Sequence, residues 1–391
     1  MTGRLLIVLL LLMHGEKVLS QVPFSQSQSK RTGINSPDSF WVECSNVSSL
    51  PQVFQKGYVM VYRREVPGAI VLVDVKGNIV WSYRLLNAGF KIVRYTKNHT
   101  FLCITGTKEN EIGYGNTILE LSLSGDTLLY LTKGQADFQQ SIHHEIFLNA
   151  KNQIVTLCRE ERVFDLTTKG GLETDTVFGD AIQVMDKQGR QIWKWSIFDK
   201  LNPLADENIN KSKKDWMHAN SIAIDTDGNY LISFYNNGQI WKINAITGNV
   251  IWKFGKDGDF MIPAYAVFDQ AHAIHINSKG SLMLFDNGAN KKISRSLSFA
   301  LDKKAKTAQP IINSWLPPPL YTDRMGSSYL INGNTLLVCA SRHKSVALTN
   351  LQGIFLWRLN SNNFMSYRAE FIPQNALQPY LKQISYRVSK N

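Results

Sequence analysis

Three histidines, His144, His218 and His272, hold the same place in successive copies of one short pattern. HHEIFLNAKNQIVTL carries His144, HANSIAIDTDGNYLISF carries His218, and HAIHINSKGSLMLF carries His272. Each histidine precedes a polar turn and then an apolar strand. The chain has eight histidines in all, so three in one register mark a site once the repeats surround a common axis. Converging imidazoles can hold a metal, shuttle protons near neutral pH, or accept an electrophilic group and pass it on. The carboxylates that complete or orient a metal-binding set are sparse beside them. Glu145 is expected to point away from His144 in an alternating strand. No metal site or cofactor is therefore expected. His143, which alternates with His144, and His275, deeper in its strand, read as structural.

The elements that must position these histidines are hairpins. VLVDVKGNIVWSY, VMDKQGRQIWKW, KINAITGNVIWKF and LTNLQGIFLWRL each place an apolar run, a tight turn, and a second run. These second runs end on Trp81, Trp193, Trp252 and Trp357. ELSLSGDTLLYL carries Tyr130 in that place, and LDKKAKTAQPIINSW carries Trp315 after a longer connection. This is a hairpin signature. An earlier hairpin precedes each, near 57–64, 91–106, 144–159, 218–235, 272–286 and 325–340. Two hairpins make a four-stranded sheet, and the unit recurs six times at the period of one blade each. The sequence thus predicts an all-β, six-bladed β-propeller, with four-stranded blades around a central channel. A β-sandwich fits the turns but not the long-period repetition. Inner strands line the channel, so His144, His218 and His272 are expected at one mouth, in the third, fourth and fifth blades. The closing tryptophans are expected to pack between neighbouring blades.

Residues 1–20 read as a secretory signal: Arg4 supplies the positive start, and Leu5 to Met13 an apolar core too short for a comfortable span. The leader 21–53 is Ser/Gln-rich and ends near a strand-like patch at Phe40–Val42, suited to completing a blade. The propeller is expected over 54–373, the polar insert 198–214 over one mouth, and the tail 374–391 over the rim. An exported protein, periplasmic or secreted, without stable membrane insertion, is the expectation. Net charge is +12, which favours anionic partners: nucleic acid, anionic lipid or a small anionic substrate. The basic residues are spread, and no nucleic-acid motif accompanies the cluster at Lys211, Lys213 and Lys214. Cys103, Cys158 and Cys339 lie in apolar runs without CxxC spacing, so no disulfide is assigned among the four cysteines.

HHEI at His143–Ile146, DWMHANSI at Asp215–Ile222, QAHAIHINSKGSLMLFDNG at Gln270–Gly288 and SYRAEFIP at Ser366–Pro373 resemble the arylsulfotransferase family, in its bacterial, exported form that uses no nucleotide sulfate donor. The resemblance covers most of the chain from about Gly57 to Pro373. It implies a six-bladed propeller that moves a sulfuryl group from a phenolic sulfate ester to a phenol through a sulfated histidine. By motif position His272 resembles that nucleophile, and His218 the histidine that binds sulfuryl oxygens or handles protons. His144 resembles the third member, with His143 as the other candidate. Asn220, two residues after His218, is expected to face the same pocket.

One position departs from the family. Where an arginine is common after the DWxHxNS strand, this chain reads LISFYNNG and places Asn236. A neutral amide binds an oxyanion more weakly than a guanidinium. Arg159 and Arg342, near the same register in other repeats, are candidates for the missing charge. Without such a charge, the resemblance leaves a non-catalytic propeller that binds small anionic ligands or a protein partner. A quinoprotein-like dehydrogenase, which also repeats Gly and Trp, lacks support in the convergent histidines.

Overall fold

Asx-led turns build the hairpins. Asp74 accepts from the backbone N–H groups of Lys76 and Asn78, each at 2.9 Å, and Gly77 takes φ +88°. That left-handed value costs a residue with a Cβ more than it costs glycine. Asp186 with Gly189, and Asn350 with Gly353, repeat the device. The side chain stands in for a backbone carbonyl, so each turn is specified locally. The flanking apolar runs then pair antiparallel.

The computed structural model describes residues 39–388, with side chains through Leu381. The expected signal segment and most of the leader lie outside the described residues. Six antiparallel sheets form a six-bladed β-propeller. From the first blade to the sixth, the inner strands are Glu370–Pro373, Gly89–Tyr95, Ile142–Leu148, Ala219–Ile224, Ala271–Ile276 and Ser327–Ile331. Apolar side chains fill the spaces between neighbouring blades. No described helix is long and apolar enough to cross a membrane.

Two closures differ from the repeat reading. The first blade draws only three strands from its own stretch. Its inner strand is Glu370–Pro373, paired with Gly57–Arg63 so that Gly57 faces Pro373. The sixth blade gains a fifth, outer strand, Phe40–Glu43, paired with Phe355–Ser361. The ring is therefore closed from both ends of the chain. Beyond it, Gln374–Val388 is a helix despite Pro379. Leu377 is buried in the core, and the Tyr95 hydroxyl donates to the Ala376 carbonyl at 2.9 Å. Burial of that one face outweighs the internal proline, which sequence rules take as a helix stop.

Three tryptophans staple adjacent blades. Trp81 donates to the Leu123 carbonyl at 2.8 Å, Trp195 to Gly248 at 3.1 Å, and Trp357 to Val75 at 2.7 Å. In the third blade the staple is Trp195 rather than Trp193, which packs at a tilt against Tyr230. Trp315 stays more than a third exposed and lies under the Arg295 guanidinium. All four cysteines are free thiols.

A polar plug crosses the axis below the histidines. Glu145 of the third blade accepts from Arg94 of the second at 2.6 and 2.7 Å, and from Arg368. Arg94 also pairs with Glu370 of the first blade and bonds the Tyr329 hydroxyl of the sixth. Arg368 reaches the Asn220 carbonyl and the Ser221 hydroxyl of the fourth blade at 3.2 and 3.1 Å. His275 of the fifth blade packs on Tyr329. Five of the inner strands are thus tied by hydrogen bonds around two arginines, and the fifth blade's joins them through the Ile274 N–H, which donates to the Ser221 hydroxyl at 3.0 Å, and through the ring contact.

Candidate active site

The histidines reach the mouth because the inner strands break their alternation there. His144 and His218 hold left-handed φ values of +59° and +55°, and Ala273, next to His272, holds +49°. Pairing slips at the same places: between His143 and Ile146, Ala219 and Ser221, and His272 and His275. A bulge re-aims side chains locally. A left-handed non-glycine residue costs of order 1–2 kcal/mol, so the surrounding packing must hold each one. Glu145 turns away from His144, into the axial plug.

The three rings meet through two tyrosines. His144 and His218 stand edge to face at 5.3 Å between centroids. Tyr235 lies 5.4 Å from both His218 and His272. Tyr367 lies 5.3 Å from His144 and 6.0 Å from His272. Among the described residues, no group of three or more His, Cys, Asp or Glu is arranged to hold a metal ion. The Nδ1 atoms are instead committed elsewhere: His272 to Asn287 at 2.5 Å, His218 to Asp215 at 2.6 Å, and His144 to His143 at 2.7 Å.

Asn287 fixes the state of His272. Its amide nitrogen donates to the carbonyls of Thr322 and Met325, each at 2.8 Å. Both of its hydrogens are therefore spent, and its oxygen must accept from His272. The proton of neutral His272 sits on Nδ1, leaving the Nε2 lone pair free. Burial, aided by the His218 field and opposed by the Asn287 bond, pushes the His272 pKa down to about 3. His272 is thus an uncharged imidazole through the neutral range. Burial and the neighbouring His143 also hold His144 well below the usual histidine range.

His218 goes the other way. Burial opposes its charge, but the Asp215 hydrogen bond and the Asp215 and Asp180 charges outweigh it and raise the pKa. Asp180 also accepts from the Ala219 N–H at 2.8 Å, fixing the residue after His218. A neutral imidazole with a free lone pair and a readily protonated one thus flank Tyr235. This pairing suits a nucleophile beside an acid.

The other sequence candidates fall in different surroundings. Asn220 is buried, donating to the Ala271 carbonyl at 2.8 Å and accepting from Ser233 at 2.6 Å. It ties the fourth blade to the residue before His272. Asn236 donates to the Asp215 carbonyl at 2.7 Å and so braces the His218 loop. Arg159 is held by Glu111 at 3.0 Å and lies against Tyr114 and Phe178. Arg342 is nearly half exposed and sits 3.4 Å from Asp323. His143 is buried against Tyr114, whose strand Tyr114–Gly115 crosses from the second blade to pair with it. The insert after Ser196 packs on the long 154–185 hairpin, with Lys213 bonded to Asp175 at 2.7 Å. Sequence reasoning missed Tyr235, Tyr367, Asn287 and Arg64. Only the FDNG and SYRAEFIP strings flagged the neighbourhood of Asn287 and Tyr367.

The sequence matches the arylsulfotransferase (ASST) family over residues 45–352. No curated protein matches it. Among solved structures, a Bacteroides caccae protein of unknown function aligns with a TM-score of 0.51 at 10% identity, covering 81% of this chain and 99% of its own. A putative 6-phosphogluconolactonase from Bacteroides fragilis aligns at 0.42 and 13% identity, covering 83% and 86%. Virginiamycin B lyase from Staphylococcus aureus aligns at 0.38 and 10% identity, covering 82% and 99%. At such identities the likeness concerns the fold alone.

Proposed function

The chain belongs to the arylsulfotransferase family, and from that premise we propose that it moves a sulfuryl group from a phenolic sulfate ester to a phenolic acceptor by way of a sulfated His272. The observation that carries this reading is the Asn287 hydrogen bond, which leaves His272 neutral at Nδ1–H with Nε2 unprotonated.

In the first half-reaction, His272 Nε2 forms a bond to sulfur as the bond from sulfur to the aryl oxygen breaks. Protonated His218 gives its proton to the departing phenolate. In the second, the acceptor phenol returns a proton to His218 while its oxygen attacks sulfur and the N–S bond breaks. One pocket serves both halves. Tyr235 and Tyr367 offer aromatic faces to either phenyl ring. His144, neutral and linked to His143, offers a donor or acceptor beside the sulfuryl oxygens. Export to the periplasm or beyond, on the signal-like start at 1–20, belongs to the same proposal.

Incubation with p-nitrophenyl sulfate, followed by intact-mass analysis and peptide mapping, tests the reading. One added sulfuryl group on His272 is the expected result, and an unchanged mass overturns it. Asn236, uncharged where the family commonly has arginine, favours a second reading, in which the propeller binds aryl sulfates without turnover. Saturable binding with no adduct would establish that one.

The acid role of His218 has a pH signature. The Asp215 bond and charge raise the His218 pKa above the ordinary histidine value, so transfer from an ester of a weakly acidic phenol should fall as pH rises through that raised value. Asp215→Asn removes the bond that supports the charge, and the fall in kcat/KM should move to lower pH. An alkaline limb that stays in place in Asp215→Asn rules out His218 as the acid.

A further inference from the structure

Three described arginines are buried: Arg64, Arg295 and Arg368. Arg295 is held by Asp286 at 2.9 Å, and Arg368 by Glu145. Arg64 has no carboxylate within ion-pair distance among the described residues. Its Nη1 donates to the Met325 sulfur at 2.8 Å, a weak acceptor. Its Nε has no partner at all. A guanidinium withdrawn from water with unsatisfied N–H groups is costly, and an oxyanion would relieve that cost. Lys91 is likewise buried without an ion pair among the described residues. Burial and then the Arg64 charge push its pKa down, with Glu65 opposing.

This cationic corner opens onto the histidines. The Arg64 guanidinium lies 5.3 Å from the Tyr367 ring centre, the ring that also faces His144 and His272. Gly113, at φ +97°, marks the space between them. A Cβ placed on it would lie 3.6 Å from Arg64 Nη2 and 3.9 Å from His144 Cε1. A side chain there would fill the gap between guanidinium and imidazole. Lys91 borders the same loop, its Cε lying 2.9 Å from a Cβ placed on Gly106.

We propose that Arg64, seconded by Lys91, binds the oxygens of the sulfuryl group in this pocket, as the cation that Asn236 does not provide. The assignment rests on the transfer reading above. Its ligand is a tetrahedral oxyanion carried on an aryl ester, approached by Arg64 from the first blade and by His144 from the third. Guanidinium N–H groups match such oxygens in pairs. Arg159 and Arg342, by contrast, already have carboxylate partners in Glu111 and Asp323.

Calorimetric titration separates binding from turnover, with inorganic sulfate and an uncharged phenol as probes. Arg64→Gln should weaken sulfate binding about tenfold to a hundredfold, the scale of lost hydrogen bonds to a charged group. Phenol binding should stay unchanged. Arg64→Lys, which keeps the charge without the fork, should fall between, and it carries the test if Arg64→Gln does not fold. Sulfate binding equal to wild type in a folded Arg64 variant overturns the assignment, as does equal loss of sulfate and phenol. If wild type forms no sulfated histidine yet its sulfate binding depends on Arg64, the transfer reading fails and the anion site stands. If transfer proceeds while sulfate binding ignores Arg64, the anion site fails alone.

Discussion

His272→Ala is expected to lower sulfuryl transfer by about four orders of magnitude or more, the scale seen when a covalent nucleophile is removed. The substitution takes away the one imidazole that Asn287 holds with its Nε2 lone pair free. It leaves Arg64, His144 and both tyrosines in place, so aryl sulfate should still bind, and the loss should lie in kcat rather than KM. Single-turnover release of p-nitrophenol checks the rate, and mass analysis checks that the adduct has vanished. Turnover near wild type in a folded variant would remove His272 from the nucleophile role. His272 is 2% exposed, so melting of the variant must accompany the kinetics.

Glu145→Gln is expected to cost about 3–5 kcal/mol of stability, as breaking a buried ion pair does. Arg94 and Arg368 share this carboxylate. With Glu145 neutral, Arg94 keeps Glu370, while Arg368 keeps only neutral acceptors, the Asn220 carbonyl and the Ser221 hydroxyl. Burial raises the Glu145 pKa, but the Arg368 and Arg94 charges outweigh it and hold it below the usual carboxylate range. Its contribution is therefore full above the ordinary carboxylate pKa and disappears as pH falls through the lowered value. Denaturant unfolding at neutral and acid pH should show the wild-type advantage over Glu145→Gln narrowing toward acid. A constant difference, or none, would show that the plug does not bear on stability.

The propeller was legible because its hairpin signals are local. Asp74, Asp186 and Asn350 specify their turns within five residues, and alternation specifies the faces. The register of His144, His218 and His272 survived translation into space because each lies at or just before the first residues of an inner strand. Less could be read where the backbone departs from rule. Positive φ at His144, His218 and Ala273 falls on residues that carry a Cβ, whereas sequence rules assign it to glycine and asparagine. Arg64 sits in a run of three charged residues, Arg63-Arg64-Glu65, with no local mark of burial. It packs against Met325, 261 positions away, and the still more distant Tyr367, and no local pattern encodes that. The same holds for Glu370–Pro373, four residues whose strand identity depends on the gap left for them by the first blade.

That last strand also sets an order of events. The Tyr62 N–H meets the Ser366 hydroxyl across 304 residues of sequence, so this contact forms only after the last blade's strands have been synthesised. Until then the nascent chain carries every candidate histidine but lacks the Tyr367 wall between His144 and His272, and the Arg368 charge on Glu145. A chain truncated before Tyr367 would own the three candidate imidazoles without the ring that stands between His144 and His272. Synthesis through Tyr367 and Arg368 thus precedes closure of the pocket.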